Sequence, residues 1–153
     1  MCLYLINEPS RTRKIAEENI PCYKVVRVRF NEYCSPFYTN NKIQPGASYT
    51  SGLRLEEGMA DPDSITVGLH TFIRYEDAVN FIMPMDTTKS ERRDRCKCFH
   101  IIRAVIPKGS SYYEGFFPSN FSEMVEMHGN KVKTNSYASD ALIYDTEVIE
   151  LTA

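Results

Sequence analysis

The chain has 153 residues, with 18 Lys and Arg against 20 Asp and Glu, a net charge of −2, 42% hydrophobic and 25% charged residues. This length suits one ordinary domain, and the hydrophobic content supplies a core, which excludes an intrinsically disordered chain. No apolar run approaches the ~20 residues a bilayer requires, and the first residues lack the basic flank and length of a secretory signal, so the expected compartment is the cytoplasm.

In chain order, residues 10–18 are polar and predict one or two helical turns, ended before Pro21 because the residue preceding proline avoids the α region. Residues 22–30, CYKVVRVRF, are rich in β-branched and aromatic types and alternate from Val26. They predict a strand with Val26, Val28 and Phe30 inward and Arg27 and Arg29 together on the other face. Residues 35–41, followed by Pro45-Gly46, read as a loop carrying aromatics, residues 47–55 as a second strand, and residues 56–58 and 61–64 as turns. Residues 65–72 predict a third strand. In residues 74–83, Tyr75, Ala78, Val79 and Ile82 fall at helical spacing, so one clear helix is expected, stopped by Pro84.

The charged stretch before residue 98 reads as a loop, and residues 98–106 as the strongest strand, apolar enough for a sheet centre. Residues 112–117 form an aromatic segment suited to the mouth of a pocket, and residues 129–139 a polar loop. Residues 141–144 and 148–151 predict two closing strands joined across Asp145-Thr146. The sum is an α+β fold, a mostly antiparallel sheet of about six strands with one or two short helices in a single domain. A doubly wound parallel sheet needs more crossover helices. The chain contains no G-x-x-x-x-G-K-[ST], G-x-G-x-x-G or G-x-S-x-G, so the signature phosphate loop, dinucleotide turn and serine nucleophile elbow are all missing.

The five cysteines, Cys2, Cys22, Cys34, Cys96 and Cys98, are odd in number and lack the spacing of a disulfide framework, so reduced thiols are expected. Arg95 and Lys97 flank the Cys96-Lys97-Cys98 pair and favour a thiolate, while a strand would put both thiols on one face as small hydrophobes. His70, His100 and His128 have no ligand spacing between them, and no metal is expected. Residues 89–108 carry seven bases against Glu91 and Asp94, whereas the last seventeen residues carry four acids and no base. Such polarity steers an anionic ligand or nucleic acid toward one face, or belongs to a solvated loop; Arg92-Arg93-Asp94-Arg95 is the candidate phosphate contact.

Two resemblances add to these readings. Residues 20–25 (IPCYKV), 68–72 (GLHTF) with Asp77-Ala78, 106–115 (IPKGSSYYEG) and 137–140 (YASD) resemble small uncharacterised proteins of phages and prophages of gut Bacteroidales. That resemblance covers most of the chain and implies the cytoplasm of an infected bacterial host, without an activity. A second set, GLHTF ahead of residues 77–81 (DAVNF) and residues 140–145 (DALIYD), is similar to ADP-ribosyltransferases of the poly(ADP-ribose) polymerase type. This implies an ADP-ribosyltransferase-like fold, NAD as the cofactor consumed, Asp140 in the place of the family's catalytic Glu, and His70 in the place of its Tyr. The carboxylate would stabilise the oxocarbenium ion as nicotinamide leaves.

Each candidate residue also has a structural reading. His70 suits proton transfer or a hydrogen-bonded strand end. Asp140 suits catalysis or a turn made through its side chain. Tyr23 and Tyr113 are candidate ligand contacts, as are Arg27 and Arg29, whose planar forks suit a diphosphate or an exposed strand face. Three function classes follow. The first is a small accessory protein that binds and blocks or sequesters a host defence protein or a nucleotide-derived ligand, with nucleic acid as a further candidate partner. The second is an NAD-dependent ADP-ribosyltransferase acting on a host protein or nucleic acid, and the third is a virion or structural protein.

Overall fold

A computed structural model describes residues 3–5, 12–36, 41–56, 63–84, 86–117 and 134–152. Among them the chain forms β1 (Leu3–Leu5), β2 (Lys14–Ile15), β3 (Ile20–Arg29), β4 (Glu32–Cys34), β5 (Ser48–Thr50), β6 (Arg54–Glu56), β7 (Asp63–Val67) and β8 (Leu69–Phe72). Two helices follow, α1 (Tyr75–Ile82) and α2 (Lys89–Cys98), and then β9 (Phe99–Ile106), β10 (Ser111–Phe117), β11 (Thr134–Ser139) and β12 (Ala141–Ile149). The fold is α+β, as the sequence predicts. One antiparallel sheet runs β5-β12-β9-β3-β8-β11-β10-β1-β7-β6, with β2 on β10 and β4 on β3 off this path.

The centre of the sheet is the pairing of the two longest apolar segments, β3 and β9, in register from Ile20 against Ile106 to Arg27 against Phe99. On one face Cys22, Val26, Ile102, Ala104, Leu142 and Tyr144 bury together, and Leu69, Tyr112 and Tyr137 from β8, β10 and β11 pack into the same cluster. The sheet therefore curls, bringing its two halves against one another. On the other face Val25, Phe72 and Ile101 are covered by Ala78 and Ile82 of α1. A third cluster joins Leu3, Leu5, Ile65, Tyr113 and Ala138. Removing side chains buried this fully costs about 2–5 kcal/mol each when truncated to Ala, so β3 and β9 dominate the stability.

Several expectations are corrected. Twelve strands replace about six, because long segments divide. Residues 47–55 split at Ser51-Gly52 into β5, which pairs with β12, and β6, which pairs with β7. Residues 65–72 split at Gly68, where φ is +156° and an added Cβ would stand 2.7 Å from Leu53 Cδ2. Residues 112–117 and the end of 129–139 are not a pocket rim and a loop but the paired strands β10 and β11, from Tyr112 against Ser139 to Phe117 against Thr134. The two closing strands are one, β12, with a register irregularity between Tyr144 and Val148. The described part of residues 10–18 is not helical, since Lys14 and Ile15 pair with Tyr112 and Ser111.

The charged loop before residue 98 is α2. Thr88 is its N-cap: the Glu91 N–H donates to Thr88 Oγ1 at 3.3 Å, and Glu91 Oε2 accepts the Thr88 N–H at 3.0 Å. This reciprocal cap, with Arg95 and Lys97 at the negative end of the helix, offsets the charge repulsion along it. A helix turns Cys96 inward, where its Sγ donates to Met83 Sδ at 3.4 Å, and Cys98 outward, so the two thiols do not share a face. Phe30 is not inward either. It is 86% exposed in the left-handed turn with Asn31 that joins β3 to β4. The loop at residues 37–40, the turn residues 57–62, and Cys2 and His128 lie outside the described residues.

Candidate functional site

Asp140 stands at the corner between β11 and β12. Its carbonyl oxygen accepts the Ser51 N–H at 2.8 Å, and its own N–H donates to the Ser111 carbonyl at 3.0 Å. With the carbonyl turned to Ser51, the carboxylate completes the β10 ladder in its place: Oδ1 accepts the Ser111 N–H at 3.0 Å. Arg13 Nη2 lies 3.9 Å from Oδ2. Asp140 thus ties together the starts of β10 and β12 and the chain before β6, a strong geometric role for one side chain.

His70 is buried on β8, opposite Ala138 of β11. Its Nε2 stands 3.2 Å from the Ile65 carbonyl, and a carbonyl only accepts, so Nε2 carries the proton of the neutral ring. Burial, with the charge of Lys24 second, pushes its pKa down from 6.5 to about 4. His70 and Asp140 are near in register, two residues apart along β11, yet no hydrogen bond joins them among the described residues. Tyr113 is 7% exposed and packs with Leu3, Leu5 and Ile65. Tyr23 is half-buried and meets Tyr75 edge to face at 5.9 Å. Arg27 and Arg29 are exposed, Arg27 over the Phe99 ring at 6.0 Å and Arg29 over Phe30 at 5.4 Å. Alternation along β3 puts Tyr23, Arg27 and Arg29 on one face; Tyr113, in register through Ala138 with His70, is on that same face of the sheet but packs in a separate cluster with β1 and β7.

Sequence reasoning missed Lys24. It is 7% exposed, on the same face of β3 as buried Cys22 and Val26. Its Nζ donates to the His70 carbonyl at 2.8 Å. Burial pushes its pKa down from 10.5 to about 8. Beside it, burial pushes the Cys22 thiol up to about 12, and the nearby Thr71 hydroxyl and Lys24 charge only ease that rise. Thr71 Oγ1 itself forms no well-directed hydrogen bond with a described residue. The signal was present: alternation carried back from Val26 places Lys24 and Cys22 inward. A thiol held this high is a poor nucleophile, so the cluster is a buried polar knot rather than a cysteine-based centre.

The second feature is the positive surface of α2. Lys89, Arg93, Arg95 and Lys97 are exposed and Arg92 is half-buried. Arg92 Nε donates to the Thr87 carbonyl at 3.2 Å and Arg95 Nη1 to the Ile82 carbonyl at 3.0 Å, which fixes both stems against the preceding segment. Thr87, Lys89, Arg92 and Arg93 line a hollow of about 470 Å³, and among the described residues its lining contains no carboxylate. Of the candidate stretch Arg92-Arg93-Asp94-Arg95, Arg92 and Arg93 line this hollow together with Thr87 and Lys89, and Asp94 and Arg95 do not.

Among the described residues, no group of three or more His, Cys, Asp or Glu side chains is placed to hold a metal ion, and no helix is long and apolar enough to cross a membrane. No family model, curated protein or solved structure matches the chain.

Proposed function

We propose that the chain is a binding protein that captures a phosphate-bearing host component, a nucleotide-derived ligand or the phosphorylated face of a defence protein, and holds it without turnover. The observation that carries this reading is the hollow at the start of α2, where Lys89, Arg92 and Arg93 converge and Arg92 is anchored through Thr87. Guanidinium forks and an ammonium around one concavity are suited to phosphate oxygens. The polarity of the chain supports it, since the acids of β12 leave the bases of α2 as the anion-attracting side. The resemblance to phage-encoded proteins supplies the setting, the cytoplasm of an infected bacterium.

The roles of Asp140 and His70 also favour capture over ADP-ribosyl transfer. The Asp140 carboxylate is engaged with the Ser111 amide, and His70 is buried with its Nε2 on the Ile65 carbonyl. The test is calorimetric titration with nucleoside mono- and diphosphates, together with incubation in NAD while nicotinamide is followed. Saturable nucleotide binding, weakened about tenfold or more by Arg92→Gln with Arg93→Gln and unaccompanied by nicotinamide release, is the expected result. Nicotinamide release that depends on Asp140 would replace this reading with the transferase.

A further inference from the structure

The strands β3, β9 and β12 lie side by side, and their register arranges the outward face in two rows. Pro21, Val105 and Ile143 pair across the strands to make one row. Tyr23 pairs with Arg103 in the next, and Asp145 follows Tyr144 where the β12 register breaks. Residues two apart on a strand share a face, so both rows point the same way. The helix α1 covers this face at Val25 and Ile101 and meets the second row at Tyr23, where Tyr75 packs on its ring, while its cluster does not include Pro21, Val105 or Ile143. They remain open around a hollow of about 300 Å³, a volume at the small end of ligand sites. Each row is about 10 Å long and the two stand about 7 Å apart, the dimensions of a two-ring body.

The chemistry of the rows is unequal. Pro21 and Ile143 expose apolar surface, Ile143 to 44%, beside half-buried Val105 and the Tyr23 ring. Asp145 is committed to the β12 irregularity: its Oδ1 accepts the Thr146 N–H at 2.7 Å, and the Thr146 hydroxyl and Glu147 N–H at 3.4 Å. Arg103 is exposed on a central strand and makes no hydrogen bond or ion pair with a described residue. A single uncommitted guanidinium beside an apolar floor is complementary to a ligand with an apolar body and one anionic end.

We propose that this groove binds a small amphipathic anion, its flat apolar part laid across Pro21, Val105 and Ile143 and its charged end on the Arg103 guanidinium. The site is separate from the hollow on α2 and does not depend on the function proposed for it. Water leaves the apolar row as the ligand docks, and the partly desolvated guanidinium then gains a charge-assisted hydrogen bond.

The test uses 8-anilinonaphthalene-1-sulfonate, a two-part aromatic sulfonate whose fluorescence rises in apolar surroundings, titrated into the full chain while backbone amide resonances are recorded. Saturable one-site binding is expected, with shifts centred on Val105 and Ile143. Arg103→Gln should weaken it about tenfold and Ile143→Thr several-fold, whereas Lys89→Gln with Arg93→Gln should leave it unchanged. Both groove substitutions are on the outer face, and unchanged circular dichroism confirms that each variant is folded. The absence of saturable binding, shifts centred on α2, or an affinity indifferent to Arg103→Gln would each overturn the proposal.

Discussion

Lys24 donates its Nζ to the carbonyl of His70 across the join between β3 and β8, two strands that share one register pair, Tyr23 against Phe72. The β3–β8 ladder has that one pair, and the lysine side chain adds a second hydrogen bond across the join. An ammonium is a costly donor in such a place, because it gives up water on all sides and meets no described carboxylate. The join between the two halves of the sheet therefore carries a pH-dependent energy.

That energy has a definite sign. The pKa of Lys24 falls from 10.5 in the unfolded chain to about 8 in the folded one. Below pH 8 both states are protonated. Between pH 8 and 10.5 the unfolded lysine holds more protons, so the Lys24 contribution to stability should rise with pH through this window, by an amount on the order of 3 kcal/mol, opposed above pH 9 by the Cys22 thiol, which keeps its proton in the folded chain. Urea denaturation across the window checks it, with Lys24→Met as the reference that lacks this rise. Parallel pH profiles for the two proteins would remove Lys24 as its source.

At the acid end His70 sets a second window. The folded ring resists protonation down to about pH 4, while the unfolded ring takes a proton near 6.5. The unfolded state again binds more protons, so stability is lost as pH falls between those values, again on the order of 3 kcal/mol. His70→Gln, which keeps an N–H for the Ile65 carbonyl, should unfold at a lower pH than the wild type if it packs equally well. The acid transition followed by circular dichroism measures the difference, and a loss of the same size in the variant would assign the acid sensitivity elsewhere.

For Asp140 the ladder geometry separates acceptor from charge. Asp140→Asn keeps an oxygen for the Ser111 amide and should cost less than about 1 kcal/mol, whereas Asp140→Ala leaves that buried amide without its partner and should cost about 1–3 kcal/mol. Thermal melts of both variants give the comparison. Equal melting temperatures for the Asn and Ala variants would show that the carboxylate does not support the corner.

Gly68 gives a steric prediction. A methyl group there meets Leu53 Cδ2 at 2.7 Å on a backbone with φ of +156°, while at Gly109, with φ of +89°, it meets nothing within 4 Å. Gly68→Ala should therefore cost about 1–3 kcal/mol, through strain and displacement of Leu53, and more than Gly109→Ala, which bears the backbone cost alone. Denaturant midpoints of the two variants test the order.

The fold was legible where periodicity and burial agree. The β3 and β9 segments and α1 are continuous apolar or amphipathic patterns, and each folds as its pattern says. The failures have local causes. The helix α2 has almost no apolar stripe, and its legible mark was the Thr88 to Glu91 capping box instead. The polar β11 looks like a loop because Ser136 and Ser139 are buried by its neighbours β8 and β10, a tertiary effect invisible in the segment itself. Within the candidate site, Arg27 and Arg29 were correctly assigned to one exposed face, but Tyr113 was buried by β1 and β7, whose contacts are distant in sequence. The basic character of residues 89–108 could be read directly; the hollow that gathers Lys89, Arg92 and Arg93 required a helix to bring them together.

The division of residues 47–55 has a geometric corollary. Strands β5 and β6 end the sheet on opposite sides, yet only residues 51–53 separate them. Four peptide steps reach about 14 Å, whereas ten strands laid flat would hold their outer edges about 43 Å apart. The short link therefore acts as a clasp that keeps the sheet rolled almost into a ring. It shelters two strand margins that would otherwise offer unpaired amides and carbonyls to other chains.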